Sequence, residues 1–171
     1  MALKQVMEVY EILDSAKVSG EEVASLLKAR GIANVEVISV QGERGRTQVI
    51  KAWIPGTNGR KTGDHSPTLG VIGSLGGVGA RPQMIGLVSD ADGAIAALSV
   101  ALKLADMSER GDVLPGDVMV TTHICPNAPI SPHEPVPFMG SPVDMKALNE
   151  HEVAPQMEAI LSIDTTKGNR I

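Results

Sequence analysis

The amino-acid sequence predicts an α/β protein, a three-layer sandwich around a central mixed, largely parallel sheet. Helical and β-rich segments alternate along it, its best helix stands between two apolar strand-like runs, and no internal repeat interrupts the order. At 171 residues, 43% hydrophobic and 20% charged, the chain fits a single α/β domain, 1–171, with enough apolar surface for a core.

Residues 2–14 place Leu3, Val6, Met7, Tyr10 and Leu13 at helical spacing. A second helix opens at Ser19 on a capping box, Ser19-Gly20-Glu21-Glu22, and closes at Gly31. The β-rich runs "NVEVISV" (34–40) and "TQVIKAWI" (47–54), joined by the turn-forming "QGERGR", predict a hairpin. A polar stretch (55–67) and a glycine-rich apolar segment, "TLGVIGSLGGVGARP", lead to a short strand over 83–89. The strongest helix spans about 92–107, and a strand over 117–122 follows it. Beyond a proline-rich loop, Ser141-Pro142-Val143-Asp144 predicts an N-cap, a first-turn proline and an acidic third helical position. A last strand, 158–164, ends at Asp164.

Composition excludes several functions. A net charge of −5 gives no electrostatic reason to approach a phosphate backbone, and Trp53, Tyr10 and Phe138, the only aromatic residues, form no stacking platform, so nucleic acid is not an expected partner. The longest apolar run, 93–105, is too short to span a bilayer, so no membrane association is expected. Cys125 is the only cysteine, which precludes an intrachain disulfide, and the charges scattered through "MALKQVMEVYEILDS" are unlike a signal peptide; a cytoplasmic setting is expected. "GSLGGVG" lacks dinucleotide-binding spacing, and "GTNGRKT" lacks that of a P-loop.

In open α/β sheets, ligands bind beyond the carboxyl ends of the strands. Three predicted strands end there in Asp90, His123 and Asp164, a set able to hold a divalent metal, with Asp92, His65 and Cys125 as possible additions. Each residue also has a plainer reading: Asp90 as an N-cap, Asp92 as a first-turn charge, His65 as a solvated loop residue, Cys125 as a small buried hydrophobe, Asp164 as a turn former. His133, Glu134, His151 and Glu152 are expected to face solvent. His123 and Cys125, two apart on an extended chain, point the same way. The prolines from 126 to 137 would stiffen the rim around them.

"SDADGAIAALSVALKLA" (89–105) resembles the segment of the M20 and M42 co-catalytic zinc peptidases in which a metal-bridging Asp opens an Ala-rich helix, which implies that role for Asp90. "DHSPTLGVI" (64–72) is similar to the M42 segment carrying the first ligand, here His65, and "EAILSIDTT" (158–166) to the strand ending in a later Asp ligand, here Asp164. The whole chain also resembles the N-terminal part of an uncharacterised group, the domain-of-unknown-function family numbered 1177, which implies that it is the N-terminal portion of a longer protein. Two departures from the peptidase pattern stand out. Pro67 replaces the Asp behind His65, and "THICPNAP" occupies the place of the peptidases' adjacent glutamates, which leaves His123 as ligand or general base.

The resemblance implies a zinc-peptidase-like fold and a metal-dependent amidohydrolase or peptidase acting on a small peptide-like substrate. Zinc, manganese or cobalt would be held by Asp90, His65 and Asp164, in a homo-oligomer. The alternative is a non-catalytic small-molecule-binding relative of the same fold.

Overall fold

A computed structural model describes residues 2–74, 78–80, 85–87, 91–125, 128–134 and 138–164. In order, the elements are α1 (Leu3–Leu13), α2 (Gly20–Ala29), β1 (Asn34–Gly42), β2 (Gly45–Ile54), β3 (Leu69–Gly73), β4 (Val78–Ala80), β5 (Ile85–Leu87), α3 (Asp92–Glu109), β6 (Val118–Ile124), β7 (Ile130–Ser131), β8 (Phe138–Met139), α4 (Met145–Glu152) and β9 (Ala159–Ile163), with one 3-10 turn at Arg60–Thr62. Among the described residues no helix is long and apolar enough to cross a membrane.

The main sheet is mixed and open, in the order β1-β2-β6-β3-β9. β1, β2 and β6 pair antiparallel, whereas β6, β3 and β9 run parallel. The expected hairpin is present, with Asn34 opposite Trp53 and Gly42 opposite Gly45. Two expectations are corrected. The described part of the run 83–89, β5, does not enter this sheet and pairs antiparallel with β4 in a separate two-stranded unit. The third parallel strand is instead β3, taken from the glycine-rich segment, and it lies at the centre of the parallel half.

Residue alternation assigns each face. One face of β2, β3 and β6 (Ile50, Ala52, Val71, Val118, Val120, Ile124) packs on Val9 and Leu13 of α1, Val23 and Leu27 of α2, and Ala94, Ala97, Leu98, Ala101 and Leu102 of α3. The opposite face receives α4, where Val40, Val49, Val143 and Leu148 cluster. β6 is buried at every position because both of its faces are covered. The capping box holds, with Ser19 Oγ accepting from the Glu22 amide at 3.2 Å. The cap of α4, however, falls three residues later than expected: Asp144 accepts from the Ala147 amide at 2.8 Å, while Ser141 Oγ is engaged locally with Val143.

Two anchors fix the amino edge of the parallel strands. Asp117, 1% exposed, accepts from the Gly56 amide at 2.8 Å and the Lys61 amide at 3.1 Å, tying the loop before β3 to the start of β6. Arg30, at the end of α2, pairs with Glu8 of α1 and, at 2.8 Å, with Asp106 of α3, which also accepts from Gln5 at 2.6 Å. The hydrogen bond from Arg30 holds the Asp106 carboxyl below the ordinary carboxylate value, against burial, which raises it; Gln5 reinforces the lowering.

A depressed folded-state value means that this pair stabilises the fold above the ordinary carboxylate range, and that the contribution disappears as pH falls through the folded-state value. Asp106→Asn should therefore flatten the acid limb of a stability–pH curve below about pH 4. Urea midpoints at stepped pH measure it, and identical acid limbs for the two proteins would reject the assignment.

At the opposite, carboxyl edge the limiting contact is between glycines. A Cβ on Gly73 would stand 2.1 Å from the Gly93 carbonyl oxygen, and one on Gly93 would stand 2.1 Å from that of Ser74 and 2.5 Å from that of Ile163. The missing side chains let the first turn of α3 sit against the ends of β3 and β9. Gly73→Ala or Gly93→Ala should cost about 3 kcal/mol, the upper end for overpacking. Gly111→Ala, at φ 82° with open space around it, should cost only about 1 kcal/mol for its left-handed backbone. Denaturant titrations of the three variants would test that ranking.

Candidate functional site

β6 ends at the carboxyl edge in Thr121-Thr122-His123-Ile124-Cys125, and its alternation decides which side chains meet which layer. Ile124 points to the α1–α3 core. Thr122, on that same face, donates through Oγ1 to the Gly73 carbonyl at 2.8 Å, locking β6 to β3 where both strands end. Thr121, His123 and Cys125 share the face covered by α4, as the pairing of His123 with Val49 requires.

There His123 Nδ1 lies 2.6 Å from Glu152 Oε1, with the two side chains 8% and 5% exposed. Glu152 is thus buried in a pair with His123, which corrects the expectation that it faces solvent. The spacing carries the reason: Leu148 and Glu152 are four apart on α4, so both lie on the stripe turned to the sheet. That periodicity was the available sequence signal for Glu152, masked by its neighbours Glu150 and His151 on a largely polar helix. An ionised carboxylate only accepts, so the proton of a neutral imidazole resides on Nδ1 and the lone pair on Nε2. Thr121, fully buried on the same face, has an Oγ1 without a hydrogen-bond partner among the described residues. Cys125 is buried, and its Sγ approaches the Arg46 carbonyl at 3.9 Å.

The remaining sequence-derived candidates fall into three groups. Asp164 follows β9 and is exposed; continuing the register from Ile163 opposite Gly73 puts it level with His123 on the same face, roughly 10 Å away across β3 by strand spacing. Asp92 is the first residue of α3, an acidic group in the first turn, where it complements the helix dipole. His65 is exposed in the loop before β3, its amide bonded to Asp64 Oδ1. It therefore belongs to the amino edge, and the structure does not bring it to His123 or Asp164. Asp90 lies outside the described residues; α3 itself is flanked by Ala91 as N-cap. Among the described residues no three His, Cys, Asp or Glu side chains gather closely enough to hold a metal ion, so the described part of the expected ligand set does not fit one.

Two clefts accompany these groups. One of about 620 Å³ lies on the helix-covered face beside Arg30, Ile54 and Ala105, at the amino edge. Another, of about 560 Å³, opens on the α4 face around Lys51, Trp53, Lys61 and Met119.

Glu152→Ala should leave the His123 ring buried without its partner and cost about 2–3 kcal/mol, read as a shifted urea midpoint. In the intact protein, nitrogen NMR of His123 should show the Nδ1–H tautomer, and a dominant Nε2–H form would contradict the pair as described.

The sequence matches the model of the family described as Protein of unknown function (DUF1177) over residues 38–171. The chain belongs to that family. No curated protein matches it.

Proposed function

We propose that this member of the family is a hydrolase-like protein that acts on a small amide or peptide-like substrate at the carboxyl edge of its parallel strands. The observation that carries the reading is the buried His123–Glu152 pair at 2.6 Å, a carboxylate-oriented imidazole where β6 ends. Support comes from its position, since that edge is where open α/β sheets collect ligands. The glycine contact also brings the positive end of α3 to the same edge, beside Ser74 and Ile163. In this reading Glu152 fixes the tautomer and ring orientation, and His123 Nε2 takes a proton from the attacking water. Asp164, on the same face, orients the substrate's amide nitrogen or the water.

A metal site drawing on Asp90 and Asp164 is proposed from the resemblance of the sequences 89–105 and 158–166 to co-catalytic zinc peptidases. Because the described residues supply no complete ligand set, no step here passes through zinc, manganese or cobalt. A cytoplasmic homo-oligomer belongs to the same proposal. The homo-oligomer is supported by β9, which pairs with β3 on one side only among the described residues and exposes Ile160 at 46% and Leu161 at 54%. The depth of His123, 6% exposed beneath α4, favours the second reading, a non-catalytic relative that binds a small molecule at this edge.

Hydrolysis of a dipeptide and amino-acid amide panel, assayed in turn with added zinc, manganese and cobalt, separates the two. The hydrolase reading expects His123→Ala to lose 10²–10⁴-fold in kcat/KM. Glu152→Gln should keep part of that activity with an altered pH profile. No turnover across the panel, with ligand binding that depends on Asp164, would replace it with the binding reading.

A further inference from the structure

The cleft on the α4 face lies at the other end of β6 from His123. Met119 in its floor is four residues before His123, roughly 13 Å along the strand. Its floor is sheet: register places Trp53 opposite Met119 and Lys51 opposite Glu36. Its walls are the 3-10 turn, which brings Lys61, and the segment after α4, which brings Pro155.

Three properties converge on one kind of ligand. The charged side chains lining the cleft are Lys51, Lys61 and Glu36, a local positive excess on a chain whose net charge is −5. The Lys61 ammonium is held 4.7 Å from the Trp53 ring centroid, and its backbone amide is pinned by the buried Asp117, so this cation is positioned before any ligand arrives. Trp53 is half-buried, so its indole offers a ligand a fixed apolar surface in the floor of the cleft. Around these donors the surface is apolar, from the indole, Met119 and Pro155. Glu36, across from Lys51, disfavours a second negative charge.

We propose that this cleft is a binding site for a small organic monocarboxylate, whose head group lies between Lys51 and Lys61 and whose apolar body rests on Trp53 and Met119. A volume of about 560 Å³ suits a ligand between a short fatty acid and a dipeptide. The site is independent of the hydrolase reading, because none of its lining residues belongs to the His123–Glu152 pair.

Trp53 is the only tryptophan, so its emission reports on this cleft alone. The full chain is titrated with hexanoate, hexanamide and inorganic phosphate, by Trp53 emission and in parallel by calorimetry. Hexanoate should bind saturably with a dissociation constant on the order of 1 mM. Lys51→Met and Lys61→Met should each weaken it by about fivefold to tenfold, the scale of a partly exposed charge-assisted contact. Hexanamide and phosphate should bind at least tenfold more weakly. Hexanoate silent by both methods, or unaffected in the Lys51→Met, Lys61→Met double variant, would overturn the proposal. Hexanamide as tight as hexanoate would show that the cleft reads only apolar surface, and phosphate as tight would show that it reads only charge; either also overturns it.

Discussion

The contact between Gly73 and Gly93 is the constraint on which the carboxyl edge depends. Two backbones meet there with no room for a single carbon, since the carbonyls of Ser74, Ile163 and Gly93 occupy the space where Cβ atoms would be. The close approach aligns α3 with β3 and β9, and the run of alanines below it, Ala94, Ala97 and Ala101, keeps the helix near the sheet along its length. A helix N-terminus is thereby delivered to the ends of the parallel strands. Thr122 completes the lock by donating to the Gly73 carbonyl from β6. The geometry around His123 is therefore inherited from packing on the far side of the sheet.

On the near side, α4 closes over β2 and β6 with an ionisable pair at its end. Burying a carboxylate is costly, and the cost is offset here by a short hydrogen bond to an imidazole that is itself buried. A well-packed apolar pair would serve stability at least as well, so the His123–Glu152 pair is more naturally read as a device for fixing one tautomer.

Much of this fold was legible in the sequence, for reasons that can be named. The capping box at Ser19 and the β-branched hairpin are local signals, and local hydrogen bonds in the fold satisfy them. β3 was hidden because glycine weakens strand propensity, yet here Gly73 is required by the helix packed against it, a tertiary demand that no local pattern encodes. The run 83–89 has strand composition, and its described part does form a strand, but composition does not reveal the partner, and β5 pairs with β4. Of the candidate site, His123 and Asp164 were reachable from strand ends alone. Placing His65 required knowing that β3 begins after it and runs away from it. Glu152 was lost among the charges of α4, where only its distance from Leu148 marks the buried stripe.

The two edges of the parallel strands differ in how their polar groups are used. At the amino edge, Asp117 accepts two backbone amides and Arg30 joins α1 to α3 through carboxylates; every partner there is a structural group of the same chain. Such groups hold loops and helix ends in place, and they do so because their hydrogen bonds are filled. His123 differs in that its pairing with Glu152 engages Nδ1 and leaves the chemistry of the ring to Nε2, while Trp53 keeps a buried N–H with no partner among the described residues. Thr121 and Trp53, on the α4 face, each keep a buried polar atom with no partner among the described residues, as Gln5, Thr68 and Ser99 do elsewhere; what sets the α4 face apart is the carboxylate-oriented imidazole it also carries. The His123–Glu152 pair, near the end of β6, and the cleft at Trp53, on the neighbouring β2 beside the start of β6, thus share the α4 face, and both proposals rest on that one surface of the sheet.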